Sequence, residues 1–503
     1  MSVYEGLWGF QQEDFDKHKL QKSGLVGSEM GTGKTHLAIA LEQYWWQEVK
    51  DKLGGRELPS LVVAPLNTFD SWQAKYAVQA PDIDVVTIDR KNRAEFVRRL
   101  RKGQGDVFLM HWDAVRLIVD DIKDLEFAVI IADEVHRASN RKAQATLALK
   151  KLKGHRRLGL SGTASGDKPE NLWSINNWLW PTFYRSYWKF RKHYCVEEHI
   201  VNPGDPFGRG YTKITGVKNV ESLKREMAPW YTRHLKREQC CEHHPNGVME
   251  YLPEKVYDTI WVDLNPTQRK FYEQMRKDMV AWVNEHEDSP LVASVVVAQM
   301  TRLSQMALAT PTIVGTKWVW KKVDDQKVKV EVPDMRLVAP SSKIDAAKEM
   351  ILDNEDKSFV IFSSSKQACY LMAEALAKAG VLAEVLSGDT PQSQREDMVA
   401  RFAAREFRVF IGVIQAAAEG IDGLQHVCNT AIFLDRSWST VKNMQAEDRL
   451  HRGGSEVHDS VQIVDIMARG TLDFGRRQKL EQKWSWIKEI LGDPVKAQKE
   501  MMN

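Results

Sequence analysis

Short apolar runs separated by longer stretches of helical period dominate this chain, and they fall into two blocks. The first block holds LVVAP (61–65), DVVTID (84–89), DVFLMH (106–111), FAVIIADE (127–134) and RRLGLSGT (156–163). These runs are rich in Val, Ile and Leu and are often apolar at consecutive positions. A strand with one wet face alternates apolar and polar residues. A strand apolar at every position must be covered on both faces, as in a parallel sheet between helices. The second block repeats the pattern with SFVIFSS (358–364), AEVLSG (383–388), RVFIGVI (408–414), TAIFLD (430–435) and DSVQIVDI (459–466). The pattern predicts an α/β fold of two lobes, each a parallel sheet covered by helices.

From about residue 170 to 345 the pattern changes. PENLWSINNWLW and PTQRKFYEQMRKDMVAWVNEH have helical period. WVWKKVDDQKVKVEV (318–332) predicts an exposed β-hairpin, and VNPGDPFGRGYTKITG (201–216) predicts a loop. The run from Phe474 predicts a charged, solvated helix packed on the second lobe. The expected division is a first lobe over 1–240 with a helical insertion at about 165–235. A second lobe follows over 241–503, with a helical insertion at about 265–340 and the C-terminal helix.

Composition narrows the class. With 503 residues, 43% hydrophobic and 28% charged, the chain has the make-up of a soluble protein with a large core. No apolar run approaches the roughly 20 residues needed to cross a membrane, and the N-terminus lacks the apolar core of a signal sequence. Five cysteines in so long a chain make no disulfide framework, which points to a reducing compartment. A net charge of +3 permits local basic grooves and excludes no partner. The 17 tryptophans are expected in cores or on lobe surfaces.

The most informative stretch is LVGSEMGTGKT (25–35). Gly31 and Gly33 allow a tight turn whose N–H groups can face phosphate oxygens. Met30, Gly31, Thr32 and Gly33 line the loop, Lys34 reaches the β- and γ-phosphates, and Thr35 holds Mg²⁺. The helix that follows places this loop at a helix N-terminus, where anions are favoured. Ser28 stands where the usual pattern has glycine. ATP with Mg²⁺ is the expected cofactor pair.

Downstream, FAVIIA ends in Asp133-Glu134, at the strand end where such sheets bind ligands. Asp133 is expected to hold Mg²⁺, and Glu134 to orient and deprotonate the attacking water. Ser161-Gly162-Thr163 ends another strand, where it either links the acid pair to the far side of the cleft or makes a polar turn. Far along the chain, Arg449 and Arg452 are three apart, hence on one face if helical. Two guanidiniums there can grip a γ-phosphate in the transition state. Coming from the other lobe, they would make catalysis depend on lobe closure. Cys240, Cys241, His243 and His244 offer zinc-type atoms, but adjacent cysteines with no second knuckle make a poor tetrahedral site, and a polar loop is expected.

These motifs together resemble the Swi/Snf family of helicase superfamily two. SEMGTGKT resembles that family's DEMGLGKT, DEVHRASNRKAQAT its DEGHRIKN segment, and LGLSGTASGDKPENLWSINNWLWP its LTGTP and ELWSLLNFLxP segments. LVVAPLNTFDSWQAKY, YTRHLKRE, LPEKVYDTIWVDLNPTQRKFYEQM, SGDTPQSQREDMVARF and QAEDRLHRGG follow in the family's order, from residue 7 to about 472. The resemblance implies two RecA-like lobes and an ATP-dependent double-stranded DNA translocase or remodeller. The alternatives are a strand-separating DNA or RNA helicase and an ATP-gated DNA-binding clamp.

The resemblance also implies finer roles. Gln11 would read the adenine edge, and Gly420 and Asp422 would contact the nucleotide. Pro65, Leu66, Thr68, His111, Trp112, Ser363, Ser364 and the Gly420-Ile421 turn would line a DNA groove, on phosphate and sugar. The implied partners are double-stranded or branched DNA and proteins of replication, recombination or repair. The implied setting is the cytoplasm of a bacterial or phage-infected cell, or a nucleus. Asp422-Gly423, Trp438-Ser439-Thr440 and Gly453-Gly454-Ser455 depart from the family wording without removing a catalytic group. The compact plan, with no chromatin-reading or nuclease domain, is like phage and bacterial members, and QAEDR is nearest to the annealing-helicase branch.

Overall fold

The computed structural model describes residues 3–88, 92–164, 168–201, 210–239, 243–285, 292–323, 326–418 and 421–491. The chain divides into two units, one built mainly from Met1–Glu198 and Lys213–Leu252, the other mainly from Pro253–Glu481.

The first unit opens with α1 (Gly9–Lys19), β1 (Ser23–Val26) and α2 (Lys34–Lys52). Then β2 (Ser60–Ala64), α3 (Phe69–Gln79), β3 (Val85–Thr87), α4 (Arg93–Arg101) and β4 (Val107–His111) follow. Next come α5 (Trp112–Ile122), β5 (Glu126–Asp133), α6 (Gln144–Lys151) and β6 (Lys153–Leu160). Helices α7 (Leu172–Leu179) and α8 (Tyr187–Tyr194) lead into β7 (Cys195–Val201) and β8 (Gly210–Val217). Helix α9 (Val220–Met227) and the short β9 (Tyr231–Thr232) close the unit. Its sheet runs β3-β4-β2-β5-β6-β1-β9, and every pairing in it is parallel. All five strands expected in this block form. The central β2, β4 and β5 are buried over nearly all their length, as their unbroken apolar runs require, whereas β3 and the first half of β6 are partly exposed.

In the second unit, β10 (Glu254–Val262) precedes α10 (Pro266–Glu285), α11 (Val292–Leu308), β11 (Thr310–Val323) and β12 (Gln326–Val338). Helix α12 (Ser342–Leu352), β13 (Phe359–Ser363), α13 (Lys366–Lys378), β14 (Ala383–Leu386), α14 (Gln392–Ala403) and β15 (Val409–Val413) continue it. The unit ends with α15 (Ile414–Ala417), β16 (Thr430–Phe433), α16 (Thr440–Glu447), β17 (Ser460–Ala468) and α17 (Leu472–Leu491). The sheet order is β10-β17-β16-β13-β15-β14, again all parallel. Strand β13 shows why consecutive apolar residues are needed: Phe359 and Ile361 enter one core and Val360 and Phe362 the other.

Two expectations change. The stretch 201–216 is not wholly loop, because Gly210–Val217 is a strand that pairs with Cys195–Val201 in a two-stranded sheet. Alternating polar and β-branched residues in YTKITGV suit that half-exposed ribbon. The hairpin expected at 318–332 is longer, with Thr310–Val323 antiparallel to Gln326–Val338 and a bulge between Ile313 and Gly315. The start of α17 is anchored in the second unit by Arg476, whose guanidinium reaches Asp435 at 3.1 Å. No helix among the described residues is long and apolar enough to cross a membrane.

Candidate functional site

Register brings the first unit's motifs to one level. Val26 of β1 and Asp133 of β5 both pair with Leu160 of β6, so all three strands end together. The residues that follow them, the 27–35 loop, Glu134 and Ser161, therefore share one edge of the sheet. This is the carboxyl end, where parallel α/β sheets bind ligands.

The loop leaves β1 at Gly27, where an added Cβ would lie 2.5 Å from the Tyr231 ring. Gly31 and Gly33 adopt φ of +81° and +74°, left-handed values that disfavour any side chain. Gly33 caps α2, and His36 N–H donates to its carbonyl at 2.9 Å. Lys34 donates to the Ser28 and Glu29 carbonyls at 3.0 and 2.9 Å, which ties the ammonium into the loop. Thr35, on the first turn of α2, is half-buried. Gln11 is buried, and its amide donates to the Thr32 and Gly33 carbonyls at 3.0 and 3.2 Å. In this structure Gln11 braces the loop's turn from behind.

Ser28, where glycine is usual, is buried and useful: its hydroxyl accepts the His234 N–H at 3.1 Å. The segment after β9 backs the whole loop. Gly27 N–H donates to the Thr232 carbonyl at 2.7 Å and Glu29 N–H to the His234 carbonyl at 2.9 Å. The Lys236 N–H donates to the Glu29 carboxylate at 2.6 Å, and Arg233 bridges the Gly27 and Gly162 carbonyls, each at 3.0 Å. Behind this, His18 meets the Thr232 hydroxyl at 2.9 Å and Asp14 meets His234 at 3.0 Å. Burial pushes His18 down to about 4, only partly opposed by Asp14.

The acid pair is held from three sides. Trp72 of α3 donates its indole N–H to the Asp133 carboxylate at 3.0 Å, and Trp112 donates to the Asp133 carbonyl at 2.9 Å. Burial, and then the neighbouring Glu134 charge, raise Asp133 to about 6, although Trp72 and Lys34 pull the other way. Glu134 sits at φ +49°, a strained value for a non-glycine residue. Burial opposes its charge too, but His136, Lys34 and Arg137 outweigh burial and keep it below the usual carboxylate range. His136 Nδ1 lies 3.0 Å from the Glu134 carboxylate and 3.1 Å from the Ser161 hydroxyl. The Ser161 hydroxyl also accepts the Thr163 N–H at 3.2 Å. The acid pair is thus tied to the end of β6 through His136, a link that Ser161-Gly162-Thr163 alone left open.

The oxygens of Thr35 and Asp133 suit a hard dication that keeps most of its water. The buried Asp133 carboxylate, raised by desolvation and by Glu134, is one that a cation would stabilise. Among the described residues no group of three or more His, Cys, Asp or Glu side chains is gathered to hold a metal. Cys240 and Cys241 lie outside the described residues, while His243 and His244 stand 3.6 and 4.0 Å from Glu13.

In the second unit, Arg449 and Arg452 do not share a helix, because α16 stops at Glu447 and the chain continues in turns to Gly454. They converge nevertheless. Arg449 donates to the Ala418 and Ile421 carbonyls at 2.8 and 2.6 Å, and Arg452 donates to the Ile421 carbonyl at 3.2 Å. Arg452 also lies 3.3 Å from the exposed Asp422 carboxylate. Gly420 lies outside the described residues. The acids beside the arginines are occupied: Glu447 pairs with Arg436 at 2.6 Å and Lys255 at 3.3 Å, and Asp448 with Lys255 at 3.1 Å.

Several of the residues expected on a DNA groove are buried within their own unit. Trp112 is 4% exposed and donates its indole N–H to the Asp133 carbonyl. Ser363 is fully buried and donates to Asp435 at 2.6 Å. Pro65 is buried as well, and Thr68 donates to its carbonyl at 2.8 Å. His111 is half-buried and accepts the Ala114 N–H at 3.3 Å as the cap of α5. Leu66 and Ser364 are exposed, although the Ser364 hydroxyl is bound to Asp435. Trp72, His136 and 231–236 were given no supporting role from the sequence; the contacts made by this backing span up to 220 positions.

The SNF2-related domain family matches residues 15–309, and the helicase conserved C-terminal domain matches residues 342–454. A Bacillus subtilis protein named as an ATP-dependent helicase/translocase, YwqA, is 24% identical over 94% of this chain and 47% of its own length. The Saccharomyces cerevisiae transcription regulatory protein SNF2 is 22% identical over 90% of this chain and 25% of its own. The chain spans less than half the length of the curated relatives it matches. A Sulfolobus solfataricus SWI2/SNF2 ATPase core, solved in complex with dsDNA, is 18% identical, covers 97% of both chains and has a TM-score of 0.39.

Proposed function

Because this chain belongs to the SNF2-related family, we propose that it is an ATP-hydrolysing motor that moves on double-stranded DNA. The observation that carries the reading is the level ending of β1, β5 and β6, which sets the Lys34 loop beside Asp133 and Glu134. The Lys34 charge acts on both carboxyls, as expected of groups that share one site.

In this reading the loop N–H groups and Lys34 hold the triphosphate, and Gln11 keeps the turn in shape. Thr35 and Asp133 hold Mg²⁺, which when bound neutralises phosphate charge. Trp72 and Trp112 fix Asp133 for that task. Glu134, ionised and oriented by His136, accepts a hydrogen bond and then a proton from the attacking water. Arg449 and Arg452 supply positive charge to the γ-phosphate as its charge spreads in the transition state, a contribution of about 10³–10⁵ in rate where such arginines act. Ser161 links the acid pair to the strand end beside it, a route by which nucleotide state reaches the rest of the first unit.

The test is ATP hydrolysis by the purified chain with and without duplex DNA, with Lys34→Ala as the blank. Duplex-dependent hydrolysis that the substitution abolishes supports the reading. Hydrolysis indifferent to duplex, or stimulated only by RNA, refutes it.

A further inference from the structure

The segment from Trp178 to Val196 carries eight aromatic residues and no Asp or Glu. It holds Arg185, Lys189, Arg191 and Lys192, and it lies in the first unit. Most of its rings pack into the first unit's core, but two are left outside. Phe183 and Trp188 are each 65% exposed, far beyond what packing requires.

Both rings are braced. Trp188 is edge-on to Tyr187 at 5.2 Å, and Tyr187 is in turn edge-on to Trp173 at 5.4 Å. Phe183 is edge-on to the buried Tyr184 at 4.9 Å. Cations surround Trp188: the Arg141 guanidinium lies 4.1 Å from the Tyr187 ring centre and 5.9 Å from that of Trp188, and Arg191 lies 5.6 Å from Trp188. Arg191 also pairs with Glu197 at 2.6 Å, and Glu226 is engaged by Tyr194 and Tyr184. Arg185, Lys189 and Lys192 are exposed on the same segment.

Flat rings held out to solvent by a buried aromatic layer, in a basic segment, have the chemistry of a base-stacking platform. Lysine and arginine meet a phosphate backbone, and each exposed ring offers a face to a base. Duplex bases are already stacked on each other, whereas an unpaired strand has faces free. An acidic protein would satisfy the cations but gives no account of two braced, exposed rings.

We propose that this surface binds single-stranded nucleic acid, with Trp188 and Phe183 stacking on unpaired bases and Arg185, Lys189 and Lys192 contacting phosphates. None of these five residues is among those assigned to the nucleotide site, so the duplex-stimulated hydrolysis proposed above reports on a different reading and fails or holds independently.

The experiment measures binding of a labelled oligothymidylate to the full chain by anisotropy, across a salt series. Replacing Phe183→Ala and Trp188→Ala together weakens binding about tenfold for each ring removed, while ATP hydrolysis with duplex DNA and thermal unfolding stay as in the native chain. Trp188→Phe keeps a stacking face and retains most of the affinity, even where the alanine pair disturbs the fold. Replacing Arg185→Glu, Lys189→Glu and Lys192→Glu lowers the slope of log affinity against log salt by about 2, as three lost phosphate contacts require on a single strand. Unchanged oligothymidylate binding in the ring variant overturns the proposal. An equal loss on blunt duplex also overturns it, because stacking would then not be what the rings do.

Discussion

Trp72→Phe tests how the acid pair is tuned. The change keeps a buried aromatic ring but deletes the indole N–H that Trp72 donates to the Asp133 carboxylate at 3.0 Å. A hydrogen bond to a charged group is worth about 1.5–3 kcal/mol, and each pH unit in an acid's ionisation corresponds to about 1.4 kcal/mol. Asp133 already stands at about 6, because burial and Glu134 raise it more than Trp72 and Lys34 lower it. Removing the donor removes one of the lowering influences, so Asp133 moves upward by about one pH unit or more. Protonated Asp133 is a poor partner for Mg²⁺. The acid limb of the hydrolysis rate against pH therefore shifts upward by about that amount, and high Mg²⁺ moves it back, since metal and proton compete for one carboxyl. The smaller ring also costs stability, on the order of 1–3 kcal/mol for the volume lost, but that loss has no pH signature near neutrality. The assay is the rate from about pH 5 to about pH 9, which brackets the affected group on both sides, at two Mg²⁺ concentrations. A uniform fall in rate with an unmoved acid limb would refute the argument and reduce Trp72 to packing.

Other expectations follow from the same geometry. Glu134→Gln lowers the hydrolysis rate about 10²–10⁴-fold and leaves nucleotide binding intact, as a fluorescent nucleotide titration would show; equal loss of binding would count against its role as base. Gly33→Ala forces a side chain into φ +74°, with its Cβ 2.4 Å from the Gln11 amide nitrogen, at a conformational cost of about 1–2 kcal/mol. Adding Gln11→Ala relieves the contact but not the backbone, so nucleotide binding by the double variant stays impaired. His18 is neutral and buried, at about 4 when folded against 6.5 when free. A depressed base of this kind contributes stability above pH 6.5 that is lost as pH falls toward 4. Urea unfolding of His18→Gln beside the native chain would show the variant gaining on it by roughly 3 kcal/mol between those pH values; a constant gap would contradict the burial argument. Taking the difference removes the opposing contribution of Glu42, which burial raises to about 7 in both proteins. Arg452→Ala lowers the maximal rate by about 10³-fold or more with little change in the Michaelis constant for ATP, whereas a role limited to holding the Ile421 turn would show mainly as a lower melting temperature.

Much of the scaffold was legible because its signal is local. A strand buried on both faces must be apolar at each position, and Phe359–Phe362, feeding two cores alternately, show that requirement met. The loop at 27–35 and the acids at 133–134 were legible because the chemistry restricts residue type at fixed spacing. What was not legible is which side of a strand end a motif residue takes. Trp112 and Ser363 stand in the segments expected on a groove, yet one turns inward to Asp133 and the other to Asp435. Nor could local pattern show that Arg449 and Arg452, off any helix, meet on the Ile421 carbonyl through turns. Ser28 shows the same limit: its hydroxyl has a place because His234, 206 positions away, brings its N–H there. Contacts of that span are set by strand order, and strand order is not written in a local pattern.

The central claim, that ATP hydrolysis drives movement along duplex DNA, is tested most directly by displacement of a third strand from a triplex placed on a duplex track. The native chain with ATP displaces the third strand, and Glu134→Gln, which still binds nucleotide, does not. Vigorous duplex-stimulated hydrolysis with no displacement would contradict it and identify an ATP-gated clamp instead of a motor.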